Sequence, residues 1–299
     1  MPAYLDQLSL PELRLRAERL REMLRECVVC PRECRARRTA GRVGVCRSTD
    51  ELVISRVGPH FGEEPPLVGW AGSGTVFFSR CNLWCLFCQN FDISHLDDGR
   101  PATVEDLAAA MMSLQQRGCH NINLVSPTHF TPQIVEAVVL AVEQGLQIPI
   151  VYNCSGYESV KTLQWLDGII DIYMPDLKYS NSEHARQYSG VKNYWDVARP
   201  ALKEMQRQVG DLVMDRRGIA QRGILVRHLV LPNGLAGSRE ILDFVAQQIS
   251  PNTYINIMDQ YHPAFKASEH SELNRRITSS EFNEVVAYAQ QVGLQRGFI

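Results

Sequence analysis

Residues 77–90 read FFSRCNLWCLFCQN and decide the fold, because an apolar strand-like run ends directly in three closely spaced thiols. Cys81, Cys85 and Cys88 occupy positions i, i+4 and i+7, a spacing that lets one loop reach three corners of a cubane iron–sulfur cluster. A 4Fe–4S cluster has four irons, so three cysteines leave one iron open, much as a catalytic zinc keeps an open position. The alternative is that these thiols are buried packing residues or ligands of a structural metal.

A second group of four cysteines precedes this loop, with spacings x2, x3 and x11. Four thiolates suit either a closed tetrahedral zinc site or all four irons of a second cluster, and the spacing leaves both alternatives open. Six arginines lie among these cysteines, where they either offset the thiolate charge and are otherwise solvated, or form a contact patch for a phosphate-bearing or acidic partner. The cysteines are Cys27, Cys30, Cys34 and Cys46, and the arginines are Arg32, Arg35, Arg37, Arg38, Arg42 and Arg47.

The composition is typical of a soluble globular protein, since 45% of the 299 residues are hydrophobic and 21% are charged. A formal net charge of −2 argues against an overall electrostatic field for nucleic acid or membranes. The sequence has no apolar run of about 18 residues and no signal-peptide pattern, which predicts a cytoplasmic protein without a membrane partner. In that reducing compartment nine cysteines indicate metal ligands rather than disulfides.

From Thr75 onward, apolar strand-like runs alternate with helical patterns, which predicts an α/β fold. Helices are expected to begin near Thr103 and Thr131, and further helices are expected over residues 158–167, 194–209, 238–249 and 279–292. Six strand–helix units require a parallel sheet and, because they are fewer than eight, predict a partial (β/α)6 barrel of the TIM type. The predicted strands are Thr75–Ser79, Asn121–Val125, Pro149–Asn153, Ile169–Met174, Ile224–Leu231 and Tyr254–Asp259.

The residues before the barrel are interpreted as a small N-terminal metal-binding segment. Ser9 to Glu12 combines a capping box with an early proline, so a first helix should begin there. We therefore divide the chain into two parts. Residues 1–70 contain the helix, the four cysteines and a connector, and residues 71–299 contain the barrel.

Two stretches fall outside the strand–helix pattern. Residues 52–74 are rich in glycine and proline and are interpreted as the connector. Its His60, Glu63 and Glu64 are candidates to line the mouth of a cavity, because the connector leads directly into the cysteine strand. Residues 211–218 predict a small hairpin before the fifth strand.

Polar residues follow the predicted strands at their carboxyl ends, where the chemistry of such barrels gathers. We expect them to face one cavity together with the three-cysteine loop. Arg227 and His228 lie on the fifth strand, where a side chain that faces the barrel would meet a substrate. The polar stretches are Ser126-Pro127-Thr128-His129, Asn153-Cys154-Ser155, Asp176-Leu177-Lys178 and Gln260-Tyr261-His262.

The cysteine spacing, with Phe87 directly before the last thiol, resembles the signature of radical S-adenosylmethionine enzymes. The wider match resembles the pyruvate formate-lyase activating enzyme group, and within it the uncharacterised iron–sulfur branch that carries an extra N-terminal four-cysteine segment. This resemblance also implies a (β/α)6 barrel. The matching stretches are Cys88-Gln89-Asn90, Met174-Pro175-Asp176-Leu177-Lys178, Arg227-His228-Leu229-Val230-Leu231-Pro232 and Gln260-Tyr261-His262-Pro263.

The resemblance implies that S-adenosylmethionine chelates the open iron, and it assigns roles to residues around that cofactor. Lys178 matches a lysine that meets the cofactor carboxylate, and His262 matches a histidine near the adenosine. Asp176 and Asn153 match positions around a monovalent cation, although the family carries aspartate in place of Asn153. Ser126-Pro127-Thr128 replaces a Gly-Gly-Glu sequence that holds the methionine amino group in many relatives. The implied cofactor-binding residues are Phe87, Asn90, Ser126, Thr128, Asn153, Ser155, Asp176, Lys178 and His262, and the candidates for substrate binding are His60, Arg227 and His228.

The resemblance implies a radical S-adenosylmethionine oxidoreductase, in which reductive cleavage of the cofactor gives a 5′-deoxyadenosyl radical that abstracts hydrogen from an unidentified substrate. Activation of a glycyl-radical protein is one alternative, and modification of a small molecule, peptide or RNA is another. The expected electron donor is a reductant such as flavodoxin or ferredoxin. An alternative from another class is a zinc-binding, arginine-rich interaction module attached to a catalytically idle barrel. Net charge gives a nucleic-acid partner little support.

Overall fold

Six parallel strands form the centre of the structure, a computed structural model that describes residues 1–298 and leaves Ile299, the last residue of the predicted barrel, outside the described part. These strands lie in the order β2-β4-β5-β6-β8-β9, and β1 and β3 extend the sheet antiparallel beyond β2. The nine-stranded sheet is not closed within the described residues, so the prediction of an α/β partial barrel is confirmed. The strands are β1 (Leu52–His60), β2 (Ser73–Phe78), β3 (Arg100–Ala102), β4 (Ile122–Val125), β5 (Ile150–Cys154), β6 (Ile172–Pro175), β7 (Val213–Met214), β8 (Ala220–Leu229) and β9 (Tyr254–Met258).

Helices alternate with the parallel strands, and local sequence signals place their first turns. Thr103 begins one helix with a capping box, because its hydroxyl accepts from the Asp106 amide while the Asp106 carboxylate accepts from the Thr103 amide. No helix in residues 1–298 is long and apolar enough to cross a membrane. The helices are α1 (Ala3–Asp6), α2 (Leu10–Glu22), α3 (Pro65–Val68), α4 (Phe91–His95), α5 (Val104–Gln116), α6 (Thr131–Glu143), α7 (Val160–Trp165), α8 (Ser182–Ser189), α9 (Tyr194–Val209), α10 (Ser238–Phe244, continued by a π-helical turn to Ile249) and α11 (Ser279–Gln291).

The prediction of an irregular connector over residues 52–74 is wrong in its first half, because β1 occupies Leu52–His60. This strand pairs antiparallel with β2, and Pro59 lies opposite Gly74. The proline obscured the strand in the sequence. It is tolerated because β3 pairs only with the first residues of β1, so the other edge of β1 needs no N–H donor at Pro59.

The predicted hairpin over residues 211–218 is present as β7, which pairs antiparallel with the beginning of β8. The Asp215 carboxylate fixes the turn, since it accepts from the backbone amides of Arg217 at 2.8 Å and Ile219 at 3.0 Å. This turn precedes β8 and therefore lies at the amino-terminal end of the barrel strands.

The N-terminal segment packs on the barrel. Leu13 and Leu20 of α2 are buried in the same core as the apolar side of α6. Arg38, which the sequence suggested to be solvated, is completely buried. Its guanidinium donates to the backbone carbonyls of Thr49 at 2.9 Å and His129 at 2.7 Å. A buried charge bonded in this way fixes the four-cysteine region against the end of β4.

Candidate active site

A cavity of about 220 Å³ lies at the carboxyl ends of the parallel strands and carries the three-cysteine loop on one side. The opposite side is formed by residues that follow β4, β5 and β6, together with residues of β8 and β9. Eleven of the sequence-derived candidates line it. They are Cys81, Cys85, Cys88, Phe87, Asn90, Ser126, Asn153, Ser155, Asp176, Lys178 and Arg227.

Backbone hydrogen bonds hold the three-cysteine loop in place. Arg80 begins the loop in the left-handed region, with a φ of +72°. The amides of Trp84 and Leu86 donate to the carbonyls of Ser189 and Tyr188 at 3.1 Å and 2.8 Å. The loop is therefore attached to the end of α8, and its thiols are directed by a fixed backbone rather than by a free surface turn.

The three thiols have polar neighbours that suit thiolate sulfur. The Ser189 hydroxyl donates to Cys85 Sγ at 3.0 Å, Ser94 Oγ lies 3.1 Å from Cys88 Sγ, and the Leu83 amide donates to Cys81 Sγ at 3.4 Å. Burial raises the pKa of the Cys85 thiol to about 11, and burial with the neighbouring Cys85 raises the pKa of Cys81 to about 12.

Within residues 1–298 no three His, Cys, Asp or Glu side chains converge tightly enough to hold a single metal ion. The corners of a cubane are spaced more widely than the ligands of one ion. Three thiols on one loop that line a shared cavity therefore fit a multi-iron cluster. Ser155 Oγ adds a second sign of a ligand, because this buried oxygen has no partner among the described residues and its residue lines the same cavity.

Opposite the cysteines, two cations clamp one carboxylate. Lys178 Nζ donates to Asp176 Oδ2 at 2.8 Å, and Arg227 Nε donates to Asp176 Oδ1 at 2.7 Å. Burial alone would raise the pKa of Asp176, but the charges of Arg227 and Lys178 lower it below its usual value. Burial would lower the pKa of Lys178. The negative charge of Asp176 has the larger effect, so the pKa of the ammonium group is raised. All three side chains are therefore ionised at neutral pH.

Arg227 also joins the predicted cation-binding residues to the connector. Its Nη2 donates to Asn153 Oδ1 at 2.9 Å, and Nη1 lies 3.5 Å from Glu63 Oε2. Neighbouring Glu64 accepts from Asn256 Nδ2 at 2.7 Å, and burial raises the pKa of Glu64. Glu63 and Glu64 thus contact residues of β8 and β9 and do not line the cavity.

Four further candidates do not line the cavity. The Thr128 hydroxyl donates to Glu158 at 2.6 Å, and His228 lies between the Leu177 carbonyl and Ser238 Oγ. His228 follows Arg227 on β8, and successive side chains of a strand point to opposite faces. His60 is exposed on β1 against Phe77, and His262 is exposed within 3.3 Å of the Gln89 amide.

Sequence reasoning placed Cys154 in a stretch expected to face the cavity but gave it no role, and it did not single out Glu158. Cys154 ends β5 and lines the cavity. Glu158 is 2% exposed, burial raises its pKa to about 8, and it accepts hydrogen bonds from Thr128 and Tyr152. The only sequence signal was their place just after a predicted strand, because the contacts that bury Glu158 come from distant residues.

The four cysteines of the N-terminal segment lie near one another. A Cβ added to Gly44 would lie 3.3 Å from Cys34 Sγ and 3.5 Å from Cys46 Sγ, so both sulfurs pack against the backbone of this glycine. Burial is the main cause of the raised pKa of Cys30, and negative charge on Cys46 and Cys27 raises it further. Non-glycine residues with φ between +38° and +62° flank two of these cysteines, namely Glu33, Arg35 and Arg47.

Comparison with known proteins adds a family to this geometry. Residues 75–216 match the Radical SAM superfamily, a range that begins in β2 and includes the cysteine loop. The uncharacterized protein MJ0674 of Methanocaldococcus jannaschii is 30% identical over 290 residues, which cover 94% of this chain and 79% of that protein.

Two solved structures share the fold at low sequence identity. SuiB of Streptococcus suis, bound to the precursor peptide SuiA, is 14% identical with a TM-score of 0.50 over 73% of this chain and 46% of that chain. The FeFe-hydrogenase maturase HydG from Carboxydothermus hydrogenoformans is 13% identical with a TM-score of 0.50 over 72% of this chain and 49% of that chain. The matched region thus spans about half of each of these longer proteins.

Proposed function

We propose that this chain, whose residues 75–216 match the Radical SAM superfamily, is a radical S-adenosylmethionine oxidoreductase that abstracts hydrogen from a substrate still to be identified. The observation that carries this proposal is that three thiols of one loop and two half-buried cations, Lys178 and Arg227, line one cavity. The family implies the two groups that act there, a 4Fe–4S cluster and S-adenosylmethionine. When bound, they supply a 5′-deoxyadenosyl radical, and the protein supplies their orientation and a site shielded from water.

Three features of the chain serve this chemistry. Cys81, Cys85 and Cys88 would hold three irons of the cluster, and the hydroxyls and amide beside them would donate to the thiolates. Lys178 presents a fixed positive charge to the cavity and suits the carboxylate of S-adenosylmethionine. Ser155 offers an unpartnered hydroxyl to the same ligand.

Arg227 takes the role that the sequence resemblance gave to a monovalent cation. Its guanidinium already donates to Asn153 and Asp176, the two residues expected to surround that cation. A guanidinium keeps its charge at every physiological pH and fills both oxygen contacts. We therefore assign the positive charge beside the cofactor carboxylate to Arg227 and Lys178 and expect no requirement for an added alkali cation.

The four-cysteine segment is proposed to hold a fully ligated iron–sulfur cluster rather than the zinc that its spacing also allowed, since among the described residues its thiols do not converge tightly enough for a single ion. Convergence of Cys34 and Cys46 on Gly44 supports this, as do the left-handed residues beside them. Arg38 Nη1 lies 3.8 Å from Cys27 Sγ, and Nη2 of the same buried group has no partner among the described residues. Such donors are expected beside negatively charged metal–sulfur groups, whose potential they adjust.

The finer subtype rests on the motifs alone. The stretch 174–178 and the residues from 260 to 263 favour a pyruvate formate-lyase activating enzyme-like protein. On that basis a glycyl-radical protein is one candidate substrate, and a flavodoxin or ferredoxin is the expected reductant. The division at residue 70 into an N-terminal part and a barrel belongs to the same proposal.

Anaerobic purification tests the function directly. We expect a brown protein with about four iron and four sulfide atoms per chain, or about eight of each if the four-cysteine segment also holds a cluster. With dithionite and S-adenosylmethionine it should form 5′-deoxyadenosine, measured by chromatography. A colourless zinc protein that forms none would instead support the interaction-module alternative.

A further inference from the structure

We propose that the surface formed by Trp84, Arg37, Arg42, Val43 and Val45 docks a small acidic protein that carries one electron. This inference rests on the proposed function, because a one-electron donor is useful only where a redox centre lies beneath. We call these five residues the docking surface. Its position, its exposed apolar groups and its charge each support the assignment.

The position follows from Trp84, which lies between Cys81 and Cys85 in the cysteine loop and is 38% exposed. The Arg47 guanidinium lies 5.3 Å above its ring, and the His95 ring is 5.9 Å away at a steep angle. Tryptophan and arginine are both enriched among the residues that contribute most to binding at the centres of protein interfaces. Trp84 is thus an exposed residue of the same loop that carries Cys81 and Cys85.

The four-cysteine segment is fixed beside this tryptophan. Arg32 donates to the carbonyls of Asn82 at 2.9 Å and Gly190 at 2.7 Å. Arg47 donates to the carbonyls of Ser94 at 2.6 Å and His95 at 2.7 Å. The exposed residues just before Arg47 and the exposed ring of Trp84 are therefore held on neighbouring parts of the surface.

The charge of the segment selects an acidic partner. Residues 25–47 contain seven arginines and two glutamates, with no lysine or aspartate, although the whole chain has a net charge of −2. Arg37 and Arg42 are exposed and form no ion pair with any described residue, whereas Arg35 pairs with Glu26 at 3.6 Å. Such a local positive patch attracts an acidic surface at long range and raises the rate of association.

The exposed valines favour a protein over a nucleic acid. Val43 is 58% exposed and Val45 is 41% exposed, and both are within five residues of Arg42 or Arg47. An apolar centre with a charged rim is the usual anatomy of a protein interface. A long polyanion would also extend beyond this patch over a chain that carries more acidic than basic side chains.

The electron balance of the proposed step is simple. The carrier protein, through a flavin or an iron–sulfur group, is oxidised by one electron, and the acceptor is the cluster held by Cys81, Cys85 and Cys88. No bond forms or breaks in the docking surface and no proton is moved by it. Electron transfer weakens steeply with distance, so docking over Trp84 places the donor where the path to these thiols is short.

The test compares two double variants with the same change of charge. Arg37→Glu with Arg42→Glu reverses the docking surface. Arg117→Glu with Arg216→Glu is the control, because these exposed arginines precede β4 and β8 and lie at the opposite end of the barrel. Binding to an immobilised acidic flavodoxin and an acidic ferredoxin is measured at several salt concentrations. Cleavage of S-adenosylmethionine is then driven by each reduced carrier and, separately, by dithionite.

We expect the wild type and the control to bind at least one carrier, with binding weakened by salt. The R37E/R42E protein should bind that carrier at least about tenfold more weakly, since each lost rim charge mainly slows association. Its carrier-driven cleavage should fall by a similar factor, while its dithionite-driven cleavage stays at the wild-type rate.

Three results would overturn the proposal. Wild-type protein could cleave S-adenosylmethionine with dithionite yet bind neither carrier, or R37E/R42E could bind as tightly as the control. The third is binding of single-stranded RNA to the wild type, lost in R37E/R42E, with no binding of the carriers. If dithionite drives no cleavage but a carrier binds the docking surface as described, the proposed function fails and the docking site remains.

Discussion

The two cysteine-rich regions use the same side chain in opposite surroundings. Cys81, Cys85 and Cys88 line a cavity at the carboxyl ends of the strands, so a group held by them remains accessible to a ligand. The four-cysteine segment has a closed neighbourhood instead, with Cys27, Cys30 and Cys46 buried and two of its sulfurs packed on Gly44. Access from a cavity, rather than the number of thiols, distinguishes a candidate reaction centre from a structural or electron-relay centre.

The arginines of the two regions differ in the same way. Arg227 in the barrel bonds a carboxylate and a side-chain amide that face the cavity. Arg32 and Arg38 in the segment bond backbone carbonyls of the barrel. The charge of Arg227 is therefore available to a bound ligand, whereas the charges of Arg32 and Arg38 fix one part of the chain to another.

Loss of one cysteine from each region gives the largest expected contrast. Cys85→Ala should lower cleavage of S-adenosylmethionine by at least about 10³-fold, more than about 4 kcal/mol of barrier, because a cluster with two ligands is no longer held. Cys30→Ala should keep roughly a tenth of the rate or more with dithionite. Cys119→Ala, which removes a buried thiol outside the cavity, is the matched control. Equal losses in Cys85→Ala and Cys30→Ala would end the distinction between the regions.

Attachment of the four-cysteine segment depends on Arg38. Arg38→Met keeps much of the volume but leaves the carbonyls of Thr49 and His129 without their donor in a buried site. We expect a loss of about 2–4 kcal/mol in the free energy of unfolding, measured by anaerobic urea denaturation. Arg37→Met, at an exposed neighbour, should change it by less than about 0.5 kcal/mol. An Arg38→Met protein as stable as Arg37→Met would mean that the segment is held by other contacts.

Replacement of Arg227 tests whether a side chain has taken the role of a cation. Arg227→Met leaves Asp176 with Lys178 as its only charged partner, so the KM for S-adenosylmethionine should rise about 10- to 100-fold, or about 1.4–2.8 kcal/mol. Potassium ions should restore part of this loss, whereas wild-type cleavage should be the same in sodium, potassium or neither. Arg222→Met, on the same strand but bonded to the Gln208 carbonyl, is the control. A wild-type enzyme that requires potassium would contradict the assignment.

The sequence predicted the elements that depend on local pattern and missed those that depend on distant partners. All six parallel strands and the loop of Cys81 to Cys88 follow from apolar periodicity and spacing. The sequence did not reveal β1, because a strand accepts a proline such as Pro59 only where its neighbouring edge is unpaired. Whether that edge is unpaired depends on how β1 pairs with β2 and β3, which are distant contacts. Periodicity places Arg227 and His228 on opposite faces of β8, but only the folded structure shows that Arg227 is the one that lines the cavity.

Glu158 gives the smallest effect and lies where the two regions meet. It is hydrogen-bonded to Thr128 and Tyr152, and its charge acts on both Cys154 of the cavity and Cys30 of the segment. Burial raises its pKa to about 8, so the folded protein keeps a proton that the unfolded chain loses above about 4.5. The stability from this group is therefore complete below about pH 4.5 and is lost as pH rises to about 8.

Glu158→Gln resembles the protonated acid and removes that titration. As the pH rises from 6 to 7, the free energy of unfolding of the wild type should fall by up to about 1.4 kcal/mol more than that of the variant. Anaerobic urea denaturation at both pH values measures this difference, and Glu105→Gln on the exposed start of α5 serves as the control. Parallel pH slopes in wild type and Glu158→Gln would show that the carboxyl is ionised in the fold. The junction of the cavity and the four-cysteine segment would then carry a buried negative charge beside Cys154.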